Sequence, residues 1–281
     1  MRVPFSKVQS VGNHFVLVPL DAFSGDAELV RFAIDTGRYR FGVGTDGLLA
    51  VAMEDGGLRV RMFNTDGTED YCGNGIRCAA HWAHSRGWIR EQALVRHLGR
   101  EVPVEIEPSS MAIRALMGQA LFDPQTIPLK EGQGEMFEAP LRVGGTTLTV
   151  SSLSTGTAHT VVLVDELPDD RLFFDVSPKI EHHELYPERT SVMWTKIVAD
   201  RSLKLRIWER GVGETWGCGS GTMAAAAVYM RKTGQTGAIH VHNPGGLLKV
   251  YGDRWDGDFW LEGQARIVFE GEWMDGEEPH P

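Results

Sequence analysis

The sequence predicts an α/β protein built from two copies of one domain, and three observations carry that prediction. Short segments recur at a nearly constant offset, apolar residues alternate in strand-length runs, and two Cys-Gly-polar-Gly turns each precede an alanine-rich stretch. The repeat is the strongest of the three. "LRVRMFN" (Leu58–Asn64) matches "LKLRIWE" (Leu203–Glu209), and "GQA" at Gly118–Ala120 returns at Gly263–Ala265, both at an offset of 145. "VGNHFVLV" (Val11–Val18) resembles "GTAHTVVLV" (Gly156–Val164), and the turns "YCGNG" (Tyr71–Gly75) and "GCGSG" (Gly217–Gly221) stand 146 apart. A period of about half the 281-residue chain is far longer than a solenoid unit, so it reads as domain duplication. The boundary is expected near "FDPQTIP" (Phe122–Pro128). This gives halves at residues 1–122 and 123–265 and a terminal segment, 266–281, returning to the first half.

In chain order, "HFVLVPL" and "LRVRMFN" alternate with period two and read as strands. "GIRCAAHWAHSRG" follows the first cysteine turn as a helix stopped at Gly87. "TVVLVDEL" and "LKLRIWE" repeat the strand pattern. "GTMAAAAVYMRKTG" repeats the helix, with Arg231 and Lys232 in its last turn and Gly234 as the stop. Alanine-rich faces predict helices packed closely against sheet.

Composition narrows the function. The 42% hydrophobic and 23% charged fractions fit a globular chain, and the apolar run Met223–Met230 is too short to span a bilayer. The start "MRVPFSKVQS" lacks the apolar centre of a secretory signal. A net charge of −10 argues against nucleic acid or an anionic membrane as partner. Three cysteines do not make a disulfide framework, so a reducing cytoplasm is expected.

Each cysteine turn places a thiol at a helix N-terminus, where unpaired N–H groups and the positive end of the helix dipole gather. That field favours thiolate, and the glycines let backbone N–H groups approach a carboxylate. Two pseudo-symmetric domains would bring the turns together around one bound carboxylate. The chemistry this suits is inversion at the α-carbon of an amino acid: one thiolate removes the proton and the other thiol returns one to the opposite face. Neither a metal nor pyridoxal phosphate is required in that scheme. Cys78 has no counterpart in the second copy and reads as a small buried hydrophobe. No C-x-x-C supports a redox dithiol, the histidines show no pairs at zinc spacing, and His182–His183 reads as a solvated loop.

These residues resemble the diaminopimelate epimerase family. "FNTDGTEDYCGNGIRCAA" and "ERGVGETWGCGSGTMAAAA" look like its two cysteine signatures. "KVQSVGNHFVLV", "FGVGTDGLLAV", "NPGGLLKV" and "FEGEW" also fit its pattern. The resemblance covers most of the chain. It implies two pseudo-symmetric α/β domains, each a mixed sheet wrapped around a central helix, with the active site in the cleft between them. It also implies cofactor-independent conversion of LL- to meso-diaminopimelate, usually by a homodimer. By position, Cys72 and Cys218 are the implied bases, and Gly73, Asn74, Gly219 and Ser220 hold the reacting carboxylate. His159 and Glu209 stand beside the thiols and hold the amino group, while Asn13, Asn64 and Arg210 contact substrate. Asn13 and Asn64 also have a plain reading as turn residues, and His159 as a satisfied core histidine.

Five positions depart from the pattern. The family's "GNPH" is "GTAH", with Thr157 for an asparagine and Ala158 for a proline, and "TN" is "TS", with Ser191 for another asparagine. "GND" becomes "GNH" at His14, and "DQ" becomes "DG" at Gly47. The two missing amides normally read the distal end of the substrate, so a related racemase acting on another amino acid stands as the alternative. A proline-racemase-like isomerase, a thiol redox protein and a non-catalytic amino acid binding protein are the rivals from further away. The first is disfavoured by "ERG" and "CGNGIRC".

Overall fold

The computed structural model describes residues 2–274. The chain forms two compact units, one running to Ala115 and resuming at Gln264, the other Leu116–Gly263. The first boundary falls before the expected Phe122 because Leu121 exchanges both backbone hydrogen bonds with Ser154, each 2.8 Å, and Phe122 packs edge-on against Phe137 and Trp255. At the other end Ser10 donates to the Gln264 carbonyl, which draws the chain into the first unit ahead of the expected Ala265.

The first unit contains β1 (Arg2–Ser10), β2 (Asn13–Pro19), α1 (Asp26–Gly37), β3 (Gly47–Glu54), β4 (Gly57–Asn64), α2 (Gly73–Ser85), β5 (Gln92–His97), β6 (Arg100–Glu107) and the start of β7 (Ala112–Gln119). The second contains β8 (Ala139–Val143), β9 (Thr146–Ser154), β10 (Ala158–Leu163), α3 (Asp170–Glu181), β11 (Ser191–Ala199), β12 (Ser202–Glu209), β13 (Gly213–Thr215), α4 (Gly219–Thr233), β14 (Gly237–Asn243), β15 (Gly246–Gly252) and β16 (Asp258–Gln264). The last described strand, β17 (Arg266–Met274), returns to pair antiparallel with β1. The rest of the expected terminal segment, 275–281, lies outside the described residues.

Strand order shows the duplication directly. In the first unit the ladder runs β17–β1–β2–β3–β4–β5–β6–β7, with β2–β3 and β4–β5 parallel and the other pairs antiparallel. In the second it runs β8–β9–β10–β11–β12–β14–β15–β16, with β10–β11 and β12–β14 parallel at the same two places. The mixed sheet of each unit curves around one helix. α2 touches β1 to β5 and β17, while α4 touches β9 to β12, β14 and β15.

Side-chain size makes this possible. Ala79, Ala80 and Ala83 in α2, and Ala224 to Ala227 in α4, are wholly buried, and their single methyls let strands close on every face. The outer helices are amphipathic instead. α1 buries Leu29, Phe32 and Ala33 against β2 and β3, and α3 buries Phe173, Val176 and Ile180 against Val192 and Trp194. No helix among the described residues is long and apolar enough to cross a membrane.

Candidate active site

Cys72 is the N-cap of α2, with extended backbone (φ −139°, ψ 107°) and its sulfur accepting the Gly75 N–H at 3.3 Å. Cys218 repeats this at α4, with φ −120°, ψ 112°, and its sulfur accepting from Gly221 N–H at 3.4 Å. Each thiol occupies the place of a capping Ser or Asp, so the helix start supplies a donor to the sulfur. Glycine is demanded three residues after each cysteine by close approach. A Cβ at Gly75 would lie 2.9 Å from Leu49 Cδ2, and one at Gly221 would lie 2.4 Å from Met193 Sδ.

The surroundings of the two sulfurs differ. Cys72 is half-buried, and its thiol donates to Asn13 Oδ1 at 3.6 Å. Asn13 is held by Asp46, which accepts from its amide at 2.7 Å and from the His14 N–H at 2.9 Å. Asn74 Nδ2 donates to the same Asn13 oxygen at 3.3 Å, and the buried Arg77 donates to Asn74 Oδ1. Arg77 only donates and Asp46 only accepts, so the orientation of both amides is fixed from the two ends. Cys218 is buried, with Ser220 Oγ 3.5 Å from its sulfur. Burial and the nearby Glu209 charge push this thiol up, against the Ser220 hydroxyl and Gly221 N–H. The thiolate expected from the helix end alone is therefore not the resting form of Cys218; desolvation wins. Cys78 is wholly buried inside α2 and pushed up by the same cause, in keeping with a structural role.

In the second unit, His159 is buried, its Nε2 is 3.1 Å from Thr157 Oγ1, and its Nδ1 has no partner. It is not a satisfied core histidine. Burial and the Arg210 charge push it down to about 3, so the ring is neutral. Ser191 pairs with His159 across parallel strands, and its hydroxyl accepts the Arg210 N–H at 3.1 Å. Glu209 accepts from Thr215 at 2.5 Å, and the Arg210 guanidinium donates to the Glu188 carbonyl at 3.0 Å. In the first unit, Asn64 donates to Thr68 Oγ1 at 3.0 Å and closes its own turn, opposite Gly47 in the β3–β4 register. A Cβ at Gly47 would meet the Phe63 carbonyl at 2.4 Å, so no longer side chain fits there without backbone movement.

The structure thus gathers Asn13, Cys72, Gly73 and Asn74 around one helix start. It gathers Thr157, His159, Ser191, Glu209, Arg210, Cys218, Gly219 and Ser220 around the other. Sequence reasoning missed Asp46, Arg77 and His97. Arg77 stands inside the quoted "CGNGIRC", whereas His97, 25 residues from Cys72, carries no local signal. His182 and His183 lie in the solvated loop after α3, as expected: the exposed His182 ring bonds the Pro178 carbonyl, and His183 Nε2 stands 3.1 Å from the Arg142 carbonyl.

Comparison with known proteins agrees with this geometry. The family model described as diaminopimelate epimerase matches residues 5–122 and 151–265. The diaminopimelate epimerase of Caldanaerobacter subterraneus subsp. tengcongensis is 32% identical over 276 residues, covering 95% of this chain and 98% of that one. That of Methanothermobacter thermautotrophicus is 34% identical over 284 residues, covering 95% and 97%. Among solved structures, a phenazine biosynthesis protein of the PhzF family from Enterococcus faecalis superposes with TM-score 0.68 at 16% identity, covering 98% of this chain and 100% of the other. A hydroxyproline epimerase from Agrobacterium vitis gives 0.66 at 12% identity, covering 97% and 91%. At such identities these two matches speak to the fold alone. With its doubled cysteine cap, duplicated ladder and matches across both halves, the chain belongs to the diaminopimelate epimerase family.

Proposed function

We infer that the protein is an isomerase that interconverts LL- and meso-diaminopimelate by proton transfer between two thiols and one α-carbon. The observation that carries the reading is the matched pair of cysteine N-caps, each sulfur accepting the N–H of a glycine three residues on. One thiolate takes the α-proton, the C–H electron pair stays on carbon and spreads into the adjoining carboxylate, and the other thiol delivers its proton to the opposite face. Thiol and thiolate have then exchanged places. The helix-start N–H groups of Gly73, Asn74, Gly219 and Ser220 oppose the charge that grows on the carboxylate. Burial pushes Cys218 up and so favours its thiol form, and each cysteine gives a proton in one direction of the reaction and takes one in the other. His159 and Glu209 orient the amino group, and Asn13, Asn64, Thr157, Ser191 and Arg210 contact the substrate.

The test is α-proton exchange in heavy water, followed by mass spectrometry across a panel of amino acids including LL-diaminopimelate. Exchange on diaminopimelate is expected, abolished in Cys72→Ala and in Cys218→Ala and largely intact in Cys78→Ala. Full activity in either single reactive-cysteine variant would sink the two-base assignment. A second reading, a racemase for another amino acid, is favoured by one observation: the hydroxyls that replace the family's two amides are engaged within the protein, Thr157 with His159 and Ser191 with Arg210. Exchange on a different amino acid, with none on diaminopimelate, would select it.

The reading includes a cytoplasmic homodimer. The reaction needs both thiols reduced, and no disulfide joins the cysteines among the described residues. β17 at the edge of its ladder leaves Val268, Phe269 and Met274 exposed, the kind of surface a second copy covers. Light scattering is expected to give twice the chain mass, and a monomer would remove this element.

A further inference from the structure

An N-cap residue has a backbone N–H that the helix does not bond, and the usual remedy is a Glu or Gln side chain at the third helical position. In α2 that position is Gly75, held to glycine by Leu49, so the remedy is closed to Cys72. The bond comes from outside the helix. His97, buried at the end of β5, accepts the Cys72 N–H on Nε2 at 3.1 Å, while its Nδ1 lies 2.9 Å from the Val60 carbonyl. A backbone N–H only donates and a carbonyl only accepts, so the ring is neutral with its proton on Nδ1. Tyr71 stacks on it at 5.1 Å between centroids, and the Arg100 guanidinium covers Tyr71 at 4.7 Å.

We propose that His97 is a positioning residue for Cys72: its neutral ring anchors the backbone of the reactive turn and so fixes where the thiol stands. Protonation would turn Nε2 from acceptor to donor, and the anchor would be lost. The charged groups facing the ring are Glu69 and Asp70 from the turn before Cys72, which favour protonation, and Arg100 from β6, which opposes it; burial is the largest influence and also opposes it. The second unit lacks this sensitivity. Its strand pair Leu203–Val241 corresponds to Leu58–Val95, which places Asn243 where His97 stands. Asn243 does not titrate; it accepts from Thr222 and donates to the Val241 carbonyl. The pH-sensitive anchor therefore belongs to Cys72 alone.

The proposal rests on Cys72 being one of the two reactive thiols, and it is tested without turnover. Iodoacetamide alkylation of each cysteine is followed by peptide mass spectrometry from pH 5 to 8.5 in the wild type, His97→Gln and His97→Leu. Gln keeps an acceptor near the Nε2 position but does not titrate. In the wild type, Cys72 reactivity is expected to fall below about pH 6.5 more steeply than one thiol titration allows. His97→Gln is expected to restore the single-proton slope while staying within about twofold at pH 8. His97→Leu is expected to change Cys72 reactivity about tenfold at every pH, the equilibrium worth of one buried hydrogen bond. Cys218 in the same molecules is the reference and is expected to keep its rate. An unchanged profile in His97→Gln, a wild-type rate in His97→Leu, or equal changes at Cys72 and Cys218 would each overturn the proposal. Absent α-proton exchange with this alkylation pattern intact would count against the epimerase reading only.

Discussion

His159 is buried with Nδ1 unpartnered, an arrangement that costs stability in the absence of a bound group to satisfy it. It also ties stability to pH. Its folded value is about 3 and its unfolded value about 6.5, so between those limits the unfolded chain binds a proton that the native chain refuses. The stabilisation is complete above pH 6.5 and drains away as pH falls towards 3. His97, also depressed by burial, adds a contribution of the same sign. Urea midpoints measured from pH 7.5 to 5 should fall, and His159→Gln should flatten that fall whatever its midpoint at pH 7.5; an unflattened slope would remove His159 as the proton site. At this scale the sequence was most legible where a residue's role is local. A Cys-Gly-polar-Gly turn before an apolar run announces an N-cap from neighbours alone. The Asn64 side chain, by contrast, donates to Thr68 within its own turn, and its sequence neighbours alone do not separate a turn residue from a substrate contact. Asp46 reaches Asn13 from inside the quoted "FGVGTDGLLAV", whereas His97 reaches the cysteine turn through strand pairing and no nearby residue marks it.

At the scale of elements, α2 and α4 combine two demands, since each must be buried on all sides and yet open a polar N-terminus. Small residues meet the first demand and glycine meets the second. Met193 is wholly buried, so the sulfur that a Cβ at residue 221 would strike at 2.4 Å has little room to retreat. Gly221→Ala should destabilise the protein by about 1–3 kcal/mol through overpacking. It should also disturb the cap, because the same Cβ comes within 3.3 Å of Cys218 Sγ. The measurements are a urea melt and Cys218 alkylation; a stable variant with unchanged Cys218 reactivity would show that Met193 yields freely. Both buried helices were legible because alanine runs end in clear stops, Gly234 adopting the left-handed conformation at φ 73°. α1 and α3 were not. α1 follows Gly25 with no side-chain cap, and α3, although Asp169 caps its start through the Leu172 N–H, carries Pro178 inside it, so each breaks the usual start-to-stop grammar at one point.

At the scale of the whole chain, the second unit is one continuous segment and the first is closed by its own end. β8 lies beside β9 in the second unit, and the matching place beside β1 is filled by β17, from the far end of the sequence. A repeat search finds the two halves but not this exchange, because β8 and β17 share a position in the ladder rather than a sequence. β17 brings Trp273 against Phe32 and Phe269 against Phe5, and its Glu270 pairs with Arg86 at the end of α2. The first unit therefore lacks an edge strand and part of its core until β17 joins it, whereas the second has every strand it needs by Gly263. Contacts that span most of the sequence form late, because loop closure must be met before they contribute. The second unit is expected to fold first. Ending the chain after Ala265 should strip hydrogen-exchange protection from β1, β2 and α1 while β10 to β12 and α4 keep theirs. Uniform loss across both units would mean that they fold as one, and full protection of β1 would mean that β17 is dispensable.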